Sequence, residues 1–343
     1  MTGDFTWRDA GRTVVFRRGG VAAAVGLLRE HGVGEFELLS TERALAGAEE
    51  LAAAASRVHR VESGQVPVAA ATLTGALAPP PQADEGVRVR PLVALGGGRV
   101  IDVAKAIAAL SGADVVAIPT TMSGAEMTGA HRLPAGAEER AKGLVRPRLV
   151  IADPEVMTSQ PEAELRASSM NALAHGADTL YLPHSNPVSE MTALRGAELI
   201  AQALDQERVA RDTSALALGS LLCGYAIDSA GMGLHHLVCQ TLVRVCGTPH
   251  AETNAAILSH SVAFLAEQAP EPYERLAKAL DTDLLGLAER IEELGRPPRL
   301  GDVGGDATRL GEAAETMLQR PELQRVPRPP FQEELTELVS QAW

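Results

Sequence analysis

Imidazole side chains are concentrated in the second half of this sequence. Six of the nine histidines lie between residues 175 and 260. His175 follows Asn171 by four residues, so the two side chains share one face of a predicted helix. His236 and His250 lie on two further segments, and imidazoles both exchange protons near neutral pH and bind divalent metals. Three segments that each supply one histidine predict a catalytic or metal-binding site.

The same region offers a second set of candidate ligands. His236 and Cys239 are three residues apart, and Cys246 and His250 are four apart, a spacing that a zinc site of cysteine and histidine could use. The short Cys-x2-4-Cys pair typical of such sites is missing, and small buried thiols are common in protein cores. We therefore favour the histidine set. Three cysteines are also too few for a disulfide framework.

Glycines follow a predicted strand in the first half of the chain. The strand Pro91–Leu95 leads into Gly96, Gly97 and Gly98, and a helical pattern follows. Glycines let a phosphate approach the backbone closely, and the N–H groups at a helix start bind anions. A second strand ends at Thr120 and Thr121, at the sheet edge where ligands bind in open α/β sheets. Each segment alone is also consistent with a turn that holds no ligand.

The elements that position these residues differ between the two halves. Strands alternate with helices over the first 150 residues, which predicts a parallel sheet covered on both faces. The predicted strands are 12–16, 36–39, 57–61, 91–95, 115–118 and 149–151, with a helix near 42–55 and a Pro- and Ala-rich loop over 76–86. Long Ala- and Leu-rich stretches with helical periodicity, among them 213–245, follow from about residue 154. We therefore predict an α/β domain over residues 1–155 and an all-α domain over residues 156–343.

Composition and charge restrict the class of protein. Of the 343 residues, 45% are apolar and 22% charged, which is typical of a globular chain. A formal net charge of -13 disfavours binding to nucleic acid or to an anionic membrane. No apolar run approaches the ~20 residues of a membrane span, and no secretion signal begins the sequence, so we expect a cytoplasmic protein.

Only three of the 31 basic side chains are lysines, which suggests that each retained lysine has a role that arginine cannot fill.

The motifs of both halves, taken in order, resemble the iron-containing alcohol dehydrogenase superfamily, and within it the maleylacetate reductase branch. The matching segments run along the whole chain. They include Gly96-Gly97-Gly98 with Asp102 and Ala104-Lys105, Ile118-Pro119-Thr120-Thr121, Met170-Asn171-Ala172-Leu173-Ala174-His175, Leu234-His235-His236 with Cys239, and Pro249-His250-Ala251-Glu252-Thr253.

This resemblance implies a fold, a cofactor and a set of site residues. The fold is a Rossmann-like α/β domain followed by an all-α domain, as in dehydroquinate synthase, with NAD(H) or NADP(H) in the cleft between them. His236 or His250 would donate a proton, and His175 would orient the substrate. The cofactor would lie against Gly96, Gly97, Gly98, Asp102, Thr120, Thr121 and Lys142, while Lys105 occupies the Ala-Lys position of the family.

The sequence departs from the family at three positions. Metal-dependent members hold the ion with one aspartate and three histidines, and those positions here read Asn171, His175, His236 and His250. Loss of the carboxylate weakens Fe²⁺ or Zn²⁺ binding, so we expect a metal to be absent or weakly held. Gln240 replaces a histidine of the reductase branch, and it cannot exchange a proton near neutral pH. Arg99 replaces a small residue after the three glycines.

Three functions are consistent with these residues. The first is NAD(P)H-dependent reduction of a 4-oxo-2-enedioate to a 3-oxoadipate-type product. The second is NAD(P)-dependent oxidation of an alcohol or β-hydroxy acid in a specialised biosynthetic pathway, with or without loss of CO2. The third is a catalytically silent homologue that acts as a partner subunit. We expect a small-molecule substrate that carries a carboxylate, and a homodimer; the choice between NAD and NADP stays open.

Overall fold

A computed structural model describes residues 5–9, 11–77, 89–137 and 143–343, with only the backbone described for residues 5–9. The chain divides into two compact units, Met1–Ser159 and Gln160–Trp343; the sequence placed this division after residue 155. The first unit contains a mainly parallel sheet with helices, and the described residues of the second unit form helices and no strand. The predicted fold class is confirmed.

The sheet of the first unit has seven strands in the order β1-β2-β7-β6-β5-β3-β4. β1 pairs antiparallel with β2, and the other neighbouring strands are parallel. The strands are β1 (Phe5–Asp9), β2 (Arg12–Phe16), β3 (Glu37–Ser40), β4 (Arg57–Arg60), β5 (Leu92–Gly96), β6 (Val115–Pro119) and β7 (Leu149–Ala152). Six of them agree with the predicted strands to within a residue or two, and the edge strand β1 was not predicted.

Two apolar clusters cover the two faces of this sheet. In β5, Leu92 and Ala94 join one cluster, whereas Val93 and Leu95 join the other. Because successive side chains of a strand point to opposite faces, a strand covered on both sides reads as a continuous apolar run. The helices of this unit are α1 (Ala24–Glu30), α2 (Glu42–Leu45), α3 (Glu49–Ala54), α4 (Val66–Leu77), α5 (Gly98–Ser111) and α6 (Pro154–Met157).

Two differences from the predicted helices have local causes. The stretch 42–55 was predicted as one helix, but it is split into α2 and α3 around Gly47, whose φ of +98° breaks the helix. Helix α4 was not predicted, because its many small residues give little amphipathic signal. The Pro- and Ala-rich loop predicted over residues 76–86 lies mostly outside the described residues.

The second unit consists of helices joined by short turns. They are α7 (Glu162–Thr179), α8 (Pro187–Leu204), α9 (Thr213–Ala230), α10 (Leu234–Val245), α11 (His250–Gln268), α12 (Pro270–Ala279), α13 (Leu287–Gly295), α14 (Leu310–Leu318) and α15 (Gln332–Gln341). Four short 3-10 turns accompany them, at Arg208–Ala210, Leu300–Val303, Ala307–Arg309 and Pro321–Arg325.

The predicted apolar stretch 213–245 is broken into α9 and α10. Gly231 has a φ of +89°, and the two helix axes meet at 97°. The break creates a new helix N-terminus at Leu234, next to His235 and His236. Among the described helices, none is long and apolar enough to cross a membrane by itself; only α9 and α10 taken together meet that test, on length and composition alone.

Candidate active site

The three glycines join β5 to α5 at the carboxyl edge of the sheet. Gly97 is the N-cap residue, and no side chain caps the 14-residue helix that follows it. A Cβ at Gly98 would lie 2.8 Å from the Ser123 Cβ, and one at Gly97 would lie 3.1 Å from Thr121 Cγ2. The glycines therefore let the loop after β6 pack directly against the turn. The uncapped helix start provides N–H groups and a positive dipole end for an anion.

The loop after β6 completes this edge of the sheet. The Thr120 backbone N–H donates to the Gly96 carbonyl at 3.0 Å, and Thr120 and Thr121 are both half-buried. Asp102, in the second turn of α5, keeps 31% of its side chain exposed, while Arg99 is exposed. The fold thus brings together the predicted cofactor residues Gly96, Gly97, Gly98, Asp102, Thr120 and Thr121; predicted Lys142 lies outside the described residues.

Glu126 is a buried carboxyl group of this loop that the sequence did not single out. Its side chain is fully buried, and neither of its oxygens has a hydrogen-bond partner among the described residues. Burial raises the pKa of Glu126 from 4.5 to about 7, although the positive charges of Lys105 and Arg12 oppose the shift. The group therefore changes its charge near neutral pH.

The second unit brings two of the predicted histidines into contact. The rings of His175 on α7 and His236 on α10 stack with centroids 4.7 Å apart and planes 10° from parallel. Both side chains are buried, and His175 Nδ1 and His236 Nε2 have no partner among the described residues. A buried imidazole nitrogen without a partner is an atom that a ligand or a proton can occupy.

Asp178 holds His236 in one orientation. Its carboxylate accepts His236 Nδ1–H at 2.7 Å. It also accepts the backbone N–H groups of Gly233 at 3.1 Å and of His235 and His236 at 3.3 Å, at the start of α10. A carboxylate only accepts hydrogen bonds, so Nδ1 carries the proton of the neutral ring and Nε2 carries the lone pair. This arrangement makes His236 Nε2 a proton acceptor of fixed position.

Because residue 233 is a glycine, the Asp178 side chain can approach the start of α10 closely. A Cβ at Gly233 would lie 2.1 Å from the Tyr181 hydroxyl and 2.7 Å from Asp178 Oδ1. The Tyr181 oxygen also accepts the Leu234 N–H at 2.6 Å. Asp178 was not among the residues predicted from the sequence. The available signal was its position three residues after His175, on the same face of one helix.

The other histidines of the region have different surroundings. His235 is buried between Ser261, which contacts Nδ1 at 3.0 Å, and Asn254, which contacts Nε2 at 3.1 Å. His250, the exposed first residue of α11, contacts the same Asn254 amide through Nε2 at 3.5 Å. Asn171 is buried on α7. Of the predicted set, His175 and His236 are thus stacked, and His250 is the exposed first residue of the neighbouring helix α11.

Electrostatics keeps these rings neutral. Burial, reinforced by the neighbouring imidazoles, lowers the pKa of His236 and of His235 to about 3 and lowers that of His175 well below its usual value. Burial raises the pKa of Asp178, and the N–H donors of α10 oppose that shift. Neutral imidazoles can accept protons or bind metals, because both need the free lone pair.

The side chains do not fit a tightly bound metal ion. Within the described parts of the chain, no three His, Cys, Asp or Glu side chains are arranged to hold one. The neutral amide of Asn171 stands where a carboxylate would supply charge. The alternative zinc ligands also do not fit. Cys239 contacts His235 rather than His236, and burial raises the pKa of both Cys239 and Cys246, which disfavours the thiolates that bind zinc.

Gln240 lies one turn after His236 on α10 and is half-buried. Its Nε2 contacts the Met232 sulfur at 3.1 Å, and its Oε1 accepts from Arg320 Nη2 at 3.2 Å. Both ends of the amide are therefore engaged within the second unit.

Comparison with known proteins identifies the family of this chain. Residues 166–343 match the C-terminal model of the Fe-containing alcohol dehydrogenase family, and residues 83–154 match the iron-containing alcohol dehydrogenase model. Maleylacetate reductase 1 of Rhodococcus opacus is 34% identical over 260 residues, which cover 74% of this chain and 72% of that protein. Maleylacetate reductase of Rhizobium sp. (strain MTP-10005) is 30% identical over 334 residues, 92% of each chain.

Solved structures agree with this result. Maleylacetate reductase from Agrobacterium tumefaciens superposes with a TM-score of 0.82 at 30% identity, covering 100% of this chain and 99% of that one. Iron-containing alcohol dehydrogenase from Corynebacterium glutamicum gives 0.80 at 30% identity, with 96% and 94% covered. The chain is therefore an oxidoreductase that belongs to the iron-containing alcohol dehydrogenase family, in its maleylacetate reductase branch.

Proposed function

We propose that this protein reduces maleylacetate, a 4-oxo-2-enedioate, to 3-oxoadipate at the expense of NADH or NADPH. The observation that carries the proposal is His236, whose free Nε2 is fixed by the bond from Nδ1 to Asp178. The maleylacetate reductases at 30–35% identity support the choice of substrate. The homodimer and the cytoplasmic location stay predictions from the sequence.

The first unit contains the residues that would bind the cofactor. The start of α5 at Gly97 and Gly98 would bind the pyrophosphate, because free N–H groups and the helix dipole converge there. Thr120 and Thr121 would donate hydroxyl groups to the same ligand, and Asp102 would accept from it. A Cβ at Gly97 or Gly98 would meet Thr121 or Ser123, so the glycines keep the loop after β6 close to this helix start.

The second unit supplies the proton. When bound, the reduced nicotinamide supplies a hydride to the alkene carbon β to the ketone, which leaves an enolate that needs one proton. His236 Nε2 takes a proton from solvent and passes it to the neighbouring carbon, and Asp178 stabilises the imidazolium formed on the way. His175, stacked on the ring, limits its rotation and faces the substrate with its own nitrogen.

A second candidate function is favoured by the neutral state of His236. Oxidation of an alcohol or a β-hydroxy acid needs a group that accepts the hydroxyl proton as the hydride leaves. Because burial keeps the His236 ring neutral at pH 7, its Nε2 has the lone pair that such an acceptor needs. The same two units would then act in the opposite direction, with NAD⁺ or NADP⁺ as the hydride acceptor.

One set of rate measurements tests both functions. Purified protein is assayed for oxidation of NADH and of NADPH with maleylacetate, and for reduction of NAD⁺ and NADP⁺ with a panel of hydroxy acids. We expect turnover with maleylacetate, and we expect H236Q to lower kcat by about 100-fold or more, the contribution of one acid–base group. H184Q, at an exposed histidine of the same unit, is the matched control. Turnover with hydroxy acids alone would establish the second candidate instead.

Metal content is measured on the same preparation. We expect less than one Fe or Zn per chain after purification without chelator, and unchanged rates after dialysis against EDTA. A stoichiometric metal whose removal abolishes turnover would contradict the proposed role of His236 as a metal-free proton carrier.

A further inference from the structure

Lys105 is the one basic side chain of α5 that is completely buried. Its relative exposure is 0%, although it carries a charge. Its Nζ donates to Asp102 Oδ1 at 2.9 Å, to the Ala125 carbonyl at 3.1 Å and to Thr128 Oγ1 at 3.4 Å. An ammonium group has three N–H donors, so these three acceptors satisfy it fully.

The three acceptors come from two separate segments. Asp102 lies one turn before Lys105 on α5, whereas Ala125 and Thr128 belong to the loop after β6. A compact ammonium on a long stem can meet acceptors from three directions at one point, which the planar fork of an arginine cannot do. This accounts for a lysine at position 105 in a chain where 28 of the 31 basic side chains are arginines.

The loop and the helix joined by Lys105 are the two elements that form the proposed dinucleotide site. Thr120 and Thr121 precede Ala125 on that loop, and Gly98 begins the helix. Lys105 itself is buried beneath them and offers no exposed atom to a ligand. Asp102, in contrast, gives one oxygen to Lys105 while 31% of its side chain stays exposed. Any effect of Lys105 on the cofactor must therefore pass through Asp102 and the loop.

We propose that Lys105 is a positioning residue of the dinucleotide site, which fixes the carboxylate of Asp102 and ties the loop after β6 to the glycine turn. The inference rests on the proposed function only in placing a dinucleotide at this turn. It does not depend on which substrate is reduced. Loss of the ammonium frees Asp102 to turn away and releases the loop, so dinucleotide affinity falls while proton transfer at His236 is untouched.

The test measures dinucleotide binding directly, without substrate. NADH and NADPH are titrated into wild type and K105M by fluorescence, and K278M, at an exposed lysine of the second unit, is the control. We expect K105M to raise the Kd by about tenfold, the effect of one charge-assisted hydrogen-bond set, and K278M to leave it unchanged. The KM for the carboxylate substrate and kcat at saturating NADH should change by less than about twofold.

A double variant separates positioning from general structural support. If Lys105 acts in part through Asp102, K105M should raise the Kd of D102N by less than the tenfold expected in wild type, because only the release of the loop remains, whereas independent effects would multiply. T128V keeps the charge and removes one acceptor, so it answers the question even if K105M fails to fold; we expect its Kd to rise by about twofold to threefold. An unchanged Kd in K105M or, where that variant is unfolded, in T128V overturns the inference. Wild-type protein that binds neither nucleotide overturns the proposed function instead.

Discussion

Substitution of Asp178 by asparagine tests the proton-transfer unit. The asparagine oxygen can replace Oδ2, which accepts from Gly233, from the His236 backbone and from His236 Nδ1. Its NH2 group then faces the His235 N–H, at the position where Oδ1 accepts at 3.3 Å. The variant thus keeps the shape of the site and the bond to the ring. It removes the negative charge 2.7 Å from His236 Nδ1.

The size of the effect follows from that lost charge. Hydrogen bonds to a charged group contribute about 1.5–3 kcal/mol, against about 1 kcal/mol between neutral groups. The difference applies to the transition state, in which His236 carries the proton, and each 1.4 kcal/mol is about tenfold in rate. The difference of about 0.5–2 kcal/mol predicts that D178N lowers kcat by about 2- to 30-fold. The Kd for NADH should not change, because Asp178 lies in the second unit.

The assay is the initial rate of NADH or NADPH oxidation with maleylacetate, or of NAD⁺ reduction if the second candidate is correct. D212N is the matched control, because Asp212 caps α9 by accepting the Ala215 N–H at 2.9 Å and has no imidazole among its recorded hydrogen-bond partners. Asparagine is about as good an N-cap as aspartate, so D212N should retain wild-type rates. If D178N is folded and its kcat equals that of D212N, the assignment of His236 and Asp178 as the proton-transfer unit is wrong.

Two further predictions concern the first unit. The pKa of Glu126 is raised from 4.5 to about 7, so between these pH values the folded chain keeps a proton that the unfolded chain loses. The free energy of unfolding therefore falls as the pH rises from 4.5 to about 7, by up to about 3 kcal/mol. E126Q removes that dependence, so its free energy of unfolding relative to wild type, measured by urea titration, should increase from pH 4.5 to pH 8. If the difference in free energy between the two proteins is the same at both pH values, the Glu126 carboxyl is not buried without a partner. G98A places a methyl group 2.8 Å from the Ser123 Cβ and should lower stability by about 1–3 kcal/mol and weaken NADH binding. G34A, where nothing lies within 4 Å, should change neither, and equal behaviour of the two variants would refute the packing argument.

The features that the sequence predicted are those with a local signal. β5 and β6 are continuous apolar runs because both of their faces are covered, so their type and position could be inferred without any partner. The glycine turn was recognisable because strand, glycines and helix are adjacent in sequence. The break between α9 and α10 was missed, since Gly231 and Gly233 stand in an apolar stretch that could also continue as one helix.

The features that were missed depend on contacts between distant segments. Asp178 and His236 are 58 residues apart, and nothing in either segment alone indicates that they meet. Lys105 was noticed because lysine is rare in this chain and because it occupies the Ala-Lys position of the family, but its partner Thr128 is 23 residues away. Glu126 is surrounded by residues typical of a loop, so its complete burial follows only from the folded unit. Side-chain orientation at these positions is decided by tertiary packing, which periodicity does not encode.

Gln240 stands where the reductase branch has a histidine, so a side chain that could transfer a proton is missing at this position. The amide is held at both ends, by Met232 and by Arg320, so it neither carries a proton nor has a free end to replace one. One turn earlier, His236 has the Asp178 carboxylate on one nitrogen and a lone pair on the other, and the proposed acid–base unit needs no contribution from Gln240. We infer that the glutamine leaves proton transfer at His236 in place. Reduction of maleylacetate is therefore expected in spite of the glutamine at position 240.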